Sequence, residues 1–232
     1  MSGKKRNIVV FSCLAFTLLQ LVSGTVSPTV RINFEKFSRY YSSLPASNMN
    51  LLASWQALID NGSSTGNNDH LAWLSQVNTF SHQHYTYAED QLQFGKEDYW
   101  TSPAELLASR RGDCEDWAIF NYISLRHMGI PDRQLRLVYV RAAIGGAYSS
   151  ISQAHMVLAY YPETADEPLI VDSLIADILP ASQRTDLSPV FSFNAEGLWV
   201  GANGQKSRQS STARLSHWRD VIERMEAQGV SF

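Results

Sequence analysis

The sequence predicts an α+β fold: helices first, antiparallel strands next, and one closing helix. Two observations carry this. Up to Met128 the apolar residues recur at three- and four-residue spacing, whereas from Leu135 they fall in short alternating or β-branched blocks bounded by turn residues. The last stretch, Ser211 to Gln228, returns to helical spacing, with Leu215, Trp218, Val221, Ile222 and Met225 expected to face inward.

In chain order, Met1 to Gly24 has the form of a cleaved export signal. Lys4, Lys5 and Arg6 precede an apolar run, and Val22-Ser23-Gly24 supplies small residues for cleavage. The run, Ile8 to Val22, is shorter than the roughly 20 residues a membrane span needs, so no span is expected once it is removed. Cys13 lies early in this run, not after it, which excludes a lipid anchor. Residues 25–232 are expected to form a single domain. Of 19 Lys+Arg and 22 Asp+Glu, removal of the signal takes three cations and no acid, so the mature chain is acidic. That argues against nucleic acid or an anionic membrane as partner.

Residues 25–33 read as an extended leader, and helices are expected at Phe34–Leu44 and Asn48–Asp60. Gly62 to Asn68 is a loop by composition. Asp69 caps the next helix, whose inner side is expected to carry Leu71, Trp73, Leu74 and Val77. Tyr40, Tyr41, Trp55, Trp73 and Phe80 are read as core. Ser102-Pro103 starts a short helix through Arg110, a cap followed by proline in the first turn. After a tight turn at Gly112, a helix runs from Cys114 to Met128 and stops at Gly129, with Pro131 beyond. Strands are expected at Leu135–Ile144, Ala154–Tyr161, Leu169–Asp172, Val190–Asn194 and Leu198–Gly201, with Gly145 to Ser150 a connection.

Cys114 is the one cysteine after the signal, so no internal disulfide exists there. Such a thiol is inert core, a link to another chain, or a reagent. Three acids crowd it in Arg111-Gly112-Asp113-Cys114-Glu115-Asp116-Trp117-Ala118. The start of a helix favours a thiolate through its unpaired amides and dipole. Asp113 is a good cap, and Asp116 three residues on resembles a capping box.

A cysteine nucleophile needs a base, and the base an orienting group. If Pro162 to Ala165 connects a hairpin, Tyr161 pairs with Asp166 and His155 falls opposite Asp172, on the face shared by Val157 and Ile170. Asp172 would then hold one imidazole nitrogen and leave the other for a thiol. His82 and His84 form an His-x-His that no nearby acid or cysteine completes as a metal site. His70, His127 and His217 read as helix-surface or cap residues.

Order and local text together resemble a known family. Tyr99-Trp100-x-Ser-Pro, then Arg111 to Ala118, then Ala154-His155-Met156-Val157-Leu158, then Val171-Asp172-Ser173-Leu174 are similar to the bacterial transglutaminase-like cysteine proteinases, the periplasmic LapG type among them. The likeness is specific from Trp100 to Ser173 and extends from Leu71 to Gly201. It implies a papain/transglutaminase-like fold, with the nucleophile helix packed on an antiparallel sheet. It implies a Cys114–His155–Asp172 protease in the periplasm. It also implies calcium held by Asp113 and Glu115, with Asp116 added. Three acids cannot fill the shell, so backbone carbonyls or waters are expected to supply the rest, with the segment around Tyr99–Ser102 a candidate source.

The family's substrate is the N-terminal region of a large cell-surface adhesin, whose cleavage releases cells from biofilm. Its partner is the periplasmic domain of an inner-membrane cyclic-di-GMP receptor. In this scheme the Cys114 N–H stabilises the oxyanion; the sequence does not name a second donor, for which Gln153 and Trp100 are candidates. The same three residues would also serve a transglutaminase-like acyltransferase or deamidase, and a non-catalytic binding protein of the same fold is a further reading.

Overall fold

The computed structural model describes residues 30–64, 69–145, 149–200 and 205–232. The expected export signal, most of the leader, and residues 65–68, 146–148 and 201 of the expected loops and last strand lie outside the described residues.

The elements run β1 (Arg31–Ile32), α1 (Phe34–Ser42), α2 (Met49–Ser64), α3 (His70–His84), β2 (Thr86–Tyr87), α4 (Asp90–Phe94), α5 (Pro103–Ser109), β3 (Arg111–Gly112) and α6 (Cys114–Met128). The sheet region follows: β4 (Leu135–Ala143), β5 (Ser152–Tyr160), β6 (Leu169–Val171), β7 (Leu179–Pro180), β8 (Leu187–Phe193), β9 (Leu198–Val200) and β10 (Gln205–Lys206). The chain closes with α7 (Ser211–Arg214), α8 (Ser216–Ala227) and β11 (Val230–Ser231).

Local chemistry sets the helix ends. Asp69 Oδ1 accepts from Ala72 N–H at 3.1 Å and starts α3. Ser102 and Glu105 cap α5 reciprocally: Ser102 Oγ accepts from Glu105 N–H at 3.3 Å, and Glu105 Oε2 accepts from Ser102 N–H at 2.7 Å. Gly129, at φ 114°, ends α6 in a conformation that L side chains resist. These ends fall where the sequence puts them.

Three expectations are corrected. The helix expected to end at Asp60 continues to Ser64, through the first residues of the expected loop. Leu71 does not face inward but is 58 % exposed, in the first turn of α3, while Trp73, Leu74 and Val77 are buried. The closing helix is two helices, broken at Leu215 (φ −111°, ψ 103°). Ser211 Oγ is tied to the Asn194 carbonyl at 2.7 Å, so the chain turns before α8 lays Trp218, Val221 and Met225 into the core. The stretch between Tyr85 and Thr101, without an assignment from pattern, contains β2 and α4.

Seven strands form one antiparallel sheet in the order β10-β9-β8-β4-β5-β6-β7. Strand alternation splits its side chains between two clusters. Leu135, Leu137, Met156, Leu158, Tyr160 and Val171 join the main core with α6, while Val138, Val140, Val157, Ala159 and Ile170 form a smaller cluster on the other face. α6 is buried along nearly its whole length, lying against β5 and β4 on one side and α2, α3 and α5 on the others. This central helix holds its first residue, Cys114, against the sheet.

Candidate active site

The turn into α6 is held from outside. β2 and β3 pair in parallel, and Ala88 N–H donates to the Gly112 carbonyl at 3.0 Å. Gly112 has no room for a side chain: a Cβ there would collide with the Asp116 carboxylate and lie 2.8 Å from both Asp116 Cβ and Leu106 Cδ1. Asp116, 1 % exposed, accepts from Thr101 N–H at 2.6 Å through Oδ1 and from Asp113 N–H at 3.2 Å through Oδ2. It thus fastens the segment before α5 to the start of α6. The Tyr99–Ser102 segment meets the acids through this amide and that of Tyr99, which donates to Asp90 Oδ2.

Cys114 is a free, partly buried thiol. It donates to Glu115 Oε2 at 3.1 Å, and the Met156 backbone amide on β5 favours its ionised form. β6 pairs with β5 only at residues 158–160, so among the described residues β5 has no strand partner on that side at Met156. Met156 directly follows His155, and this brings the thiol to the strand that carries the histidine.

The helix start was expected to favour the thiolate. Among the protein's own groups the opposite force wins. Burial, then the charge of Glu115 and its hydrogen bond, and the charge of Asp113 push the thiol well above its ordinary range. The acids are raised as well. Asp113 is pushed up to about 6, chiefly by burial. Glu115 is pushed up to about 10 by burial and by the charges of Asp113 and Asp116. Asp116 is also raised, by burial first and then by Asp113.

Single atoms of Asp113, Cys114 and Glu115 lie within 4.8 Å of one another, as do those of Asp90, Asp113 and Asp116, and those of Asp90, Asp98 and Glu115. Asp90 and Asp98 were not read from the sequence, because an acid in a stretch without clear periodicity looks like solvated surface.

His155 and Asp172 are both 2 % exposed. His155 Nε2 and Asp172 Oδ1 are 2.7 Å apart. The register differs from the expected one: β5 and β6 pair Leu158 with Val171 and Ala159 with Ile170, two residues away from the predicted alignment. A shift of two keeps every side chain on its face. Asp172 therefore lies diagonal to His155, still on the face of Val157 and Ile170. The expected strand ended at Asp172, whereas β6 ends at Val171.

Asp172 is held on every side. Its Oδ1 also accepts from Leu174 N–H at 3.0 Å, and its Oδ2 accepts from Arg184 Nη2 at 2.7 Å. Arg184 is anchored in turn by Asp186, at 3.0 and 2.9 Å. Burial opposes ionisation of Asp172, but the His155, Leu174 and Arg184 interactions outweigh it and lower its pKa. Nothing in the local sequence ties Arg184 to Asp172.

His82 Nε2 meets the Asp172 carbonyl at 3.0 Å, while His84 packs on Phe80, so the His-x-His does not converge. His70 hydrogen-bonds Tyr160, His127 lies 3.4 Å from Asp60, and His217 stacks on Trp100. Gln153 is exposed on β5, and Trp100 is buried with its carbonyl taken by Arg224. Among the described residues, no helix is long and apolar enough to cross a membrane.

The site can now be set beside known proteins. The profile of the family described as bacterial transglutaminase-like cysteine proteinases matches residues 56–200. Legionella pneumophila LapG is similar at 38% identity over 82% of this chain and 96% of that one, with a TM-score of 0.67. Its EGTA-treated form superposes with a TM-score of 0.68, again over 96% of its length. Its calcium-bound form gives 0.66 over 98%. Both share the 38% identity and 82% coverage of this chain. No curated protein sequence matches.

Proposed function

The chain belongs to the bacterial transglutaminase-like cysteine proteinases, and from that premise we propose that it is a calcium-dependent periplasmic endopeptidase. Its substrate is the N-terminal region of a large cell-surface adhesin, and its cut releases cells from biofilm. The nucleophile is Cys114, the base His155 and the orienting acid Asp172. The enzyme is exported, with residues 1–24 removed, and is restrained by the periplasmic domain of an inner-membrane cyclic-di-GMP receptor.

One observation carries the catalytic reading: a free, partly buried thiol begins α6, the helix packed on β5, and β5 carries a histidine hydrogen-bonded to a buried carboxylate. Family membership supports the substrate and partner. Asp172 holds the imidazole through Nε2, which leaves Nδ1 to take the thiol proton. The thiolate then attacks a peptide carbonyl, and the Cys114 N–H, at the helix start, donates to the oxyanion. His155 returns the proton to the leaving amine, and water clears the thioester.

Asp113, Glu115 and Asp116 are proposed to hold the calcium. All their donors are hard carboxylate oxygens, and the buried Asp113 Oδ1 has no hydrogen-bond partner among the described residues, which suits an oxygen-seeking cation. Calcium bound there would offset the negative charge those acids hold against the thiol.

The test is cleavage of an N-terminal adhesin fragment from the same genome. Wild type with calcium should cut it, while Cys114→Ala should not. Chelator should stop the cut, calcium should restore it and magnesium should do so poorly. Equal cleavage in chelator would end the metal reading, and near-normal cleavage by Cys114→Ala the nucleophile reading. Failure to cut the adhesin by an enzyme that hydrolyses other proteins would end the substrate reading.

A further inference from the structure

We propose that Asp90 and Asp98, from α4 and the loop after it, complete the calcium site begun by Asp113, Glu115 and Asp116, so that the 90–98 segment is clasped to the start of the nucleophile helix by the metal. This rests on the calcium reading above and goes beyond it by naming ligands from a second chain segment.

Geometry is the first support. Asp90 contributes an oxygen to two of the compact groups, one with Asp113 and Asp116 and one with Asp98 and Glu115, each spanning no more than 4.8 Å. Asp90 is 3 % exposed, and its Oδ1 has no hydrogen-bond partner among the described residues. A buried carboxylate oxygen left unpaired is costly unless a ligand answers it. Asp113 Oδ1, across the same group, is in the same condition.

The way the segment sits is the second support. α4 is only five residues long, and it turns Leu92 outward, 77 % exposed, while burying Asp90. Apolar packing alone would do the reverse. The segment touches the α6 turn through polar groups, including Gln93 Nε2 donating to the Arg111 carbonyl at 3.0 Å. Its orientation therefore follows its acid.

Donor arithmetic is the third. Calcium takes about six to eight oxygens. Each Asp116 oxygen already accepts one backbone amide, and the Cys114 sulfur is too soft a donor for this ion. Among the described residues, no Lys or Arg forms an ion pair with Asp90, Asp98, Asp113, Glu115 or Asp116. Asp98 has His217 at 3.6 Å and is about half exposed at its side chain.

The experiment is calorimetric titration of the mature chain with calcium. The variants are Asp90→Asn, Asp98→Asn and, as control, Glu89→Gln, an exposed neighbour outside the cluster. Asp90→Asn should raise the Kd about tenfold or more and Asp98→Asn several-fold, with Glu89→Gln unchanged. Asn at 90 keeps an oxygen for the Tyr99 amide and removes one like charge. Its melting temperature in chelator should therefore be no lower than wild type, while its calcium-induced rise shrinks.

Limited trypsin digestion of wild type gives a readout free of any folding defect: calcium should slow cleavage at Lys96. An Asp90→Asn Kd within twofold of wild type, or Lys96 cleavage indifferent to calcium in a chain that binds it, overturns the inference and leaves the calcium reading intact. No calcium binding by wild type defeats both.

Discussion

His155 and Asp172 share a 2.7 Å hydrogen bond across a diagonal of the sheet, not between facing partners. Continued one step, the β5–β6 register sets Val157 opposite Asp172. Diagonal positions lie roughly 7–8 Å apart, a gap that an imidazole spans. The longer reach leaves Asp172 just past the end of β6, where its second oxygen meets Arg184.

The pair and the thiol should fail differently. Cys114→Ala should abolish cleavage with the melt unchanged or raised, since a thiol crowded by acids is lost. Asp172→Asn should lower kcat by roughly 10³–10⁴-fold, because the amide holds the imidazole in the wrong tautomer. Steady-state kinetics at saturating substrate measure both, and a loss under tenfold for Asp172→Asn would remove it from the mechanism.

Arg184 should prove energetically coupled to Asp172. Both side chains are almost wholly buried, so Arg184→Met leaves a buried carboxylate without its cation and should cost about 3–5 kcal/mol of stability. Adding Asp172→Asn should recover part of that, with a coupling of about 1–3 kcal/mol in a double-mutant cycle of urea melts. Additive losses would mean that Arg184 serves Asp186 alone.

Gly112→Ala should disturb the site without replacing any proposed ligand. The new Cβ must push Asp116 or Leu106 aside, and Asp116 is fixed by the Thr101 and Asp113 amides. Overpacking of this kind costs about 1–3 kcal/mol. Thermal melts and calcium titration should both show a loss, and wild-type values in both would show that the turn yields freely.

Acid should weaken the fold partly through Asp172. Its folded pKa lies below the ordinary 3.8, so its contribution is present above pH 3.8 and is lost as pH falls through the folded value. Stability curves of wild type and Asp172→Asn should therefore converge as pH drops below about 4. A constant gap down to the foot of the acid transition would contradict the depressed pKa.

Sequence by itself determined the elements whose signals are local. Ser102-Pro103, Asp69, Gly129 and the apolar run of α6 specify helix ends and a buried helix, because caps, φ preferences and periodicity act within a few residues. It also determined that His155 and Asp172 share a face, since a two-residue slip preserves alternation. Tertiary structure decided what depends on distant segments. Arg184 reaches Asp172 only because the chain after β7 folds back, and Asp90 comes to the Cys114 turn only through the β2–β3 ladder. It also decided the state of the thiol: a helix start favours the thiolate locally, but burial, which only the fold supplies, opposes it first, and the flanking Glu115 and Asp113 add to that opposition.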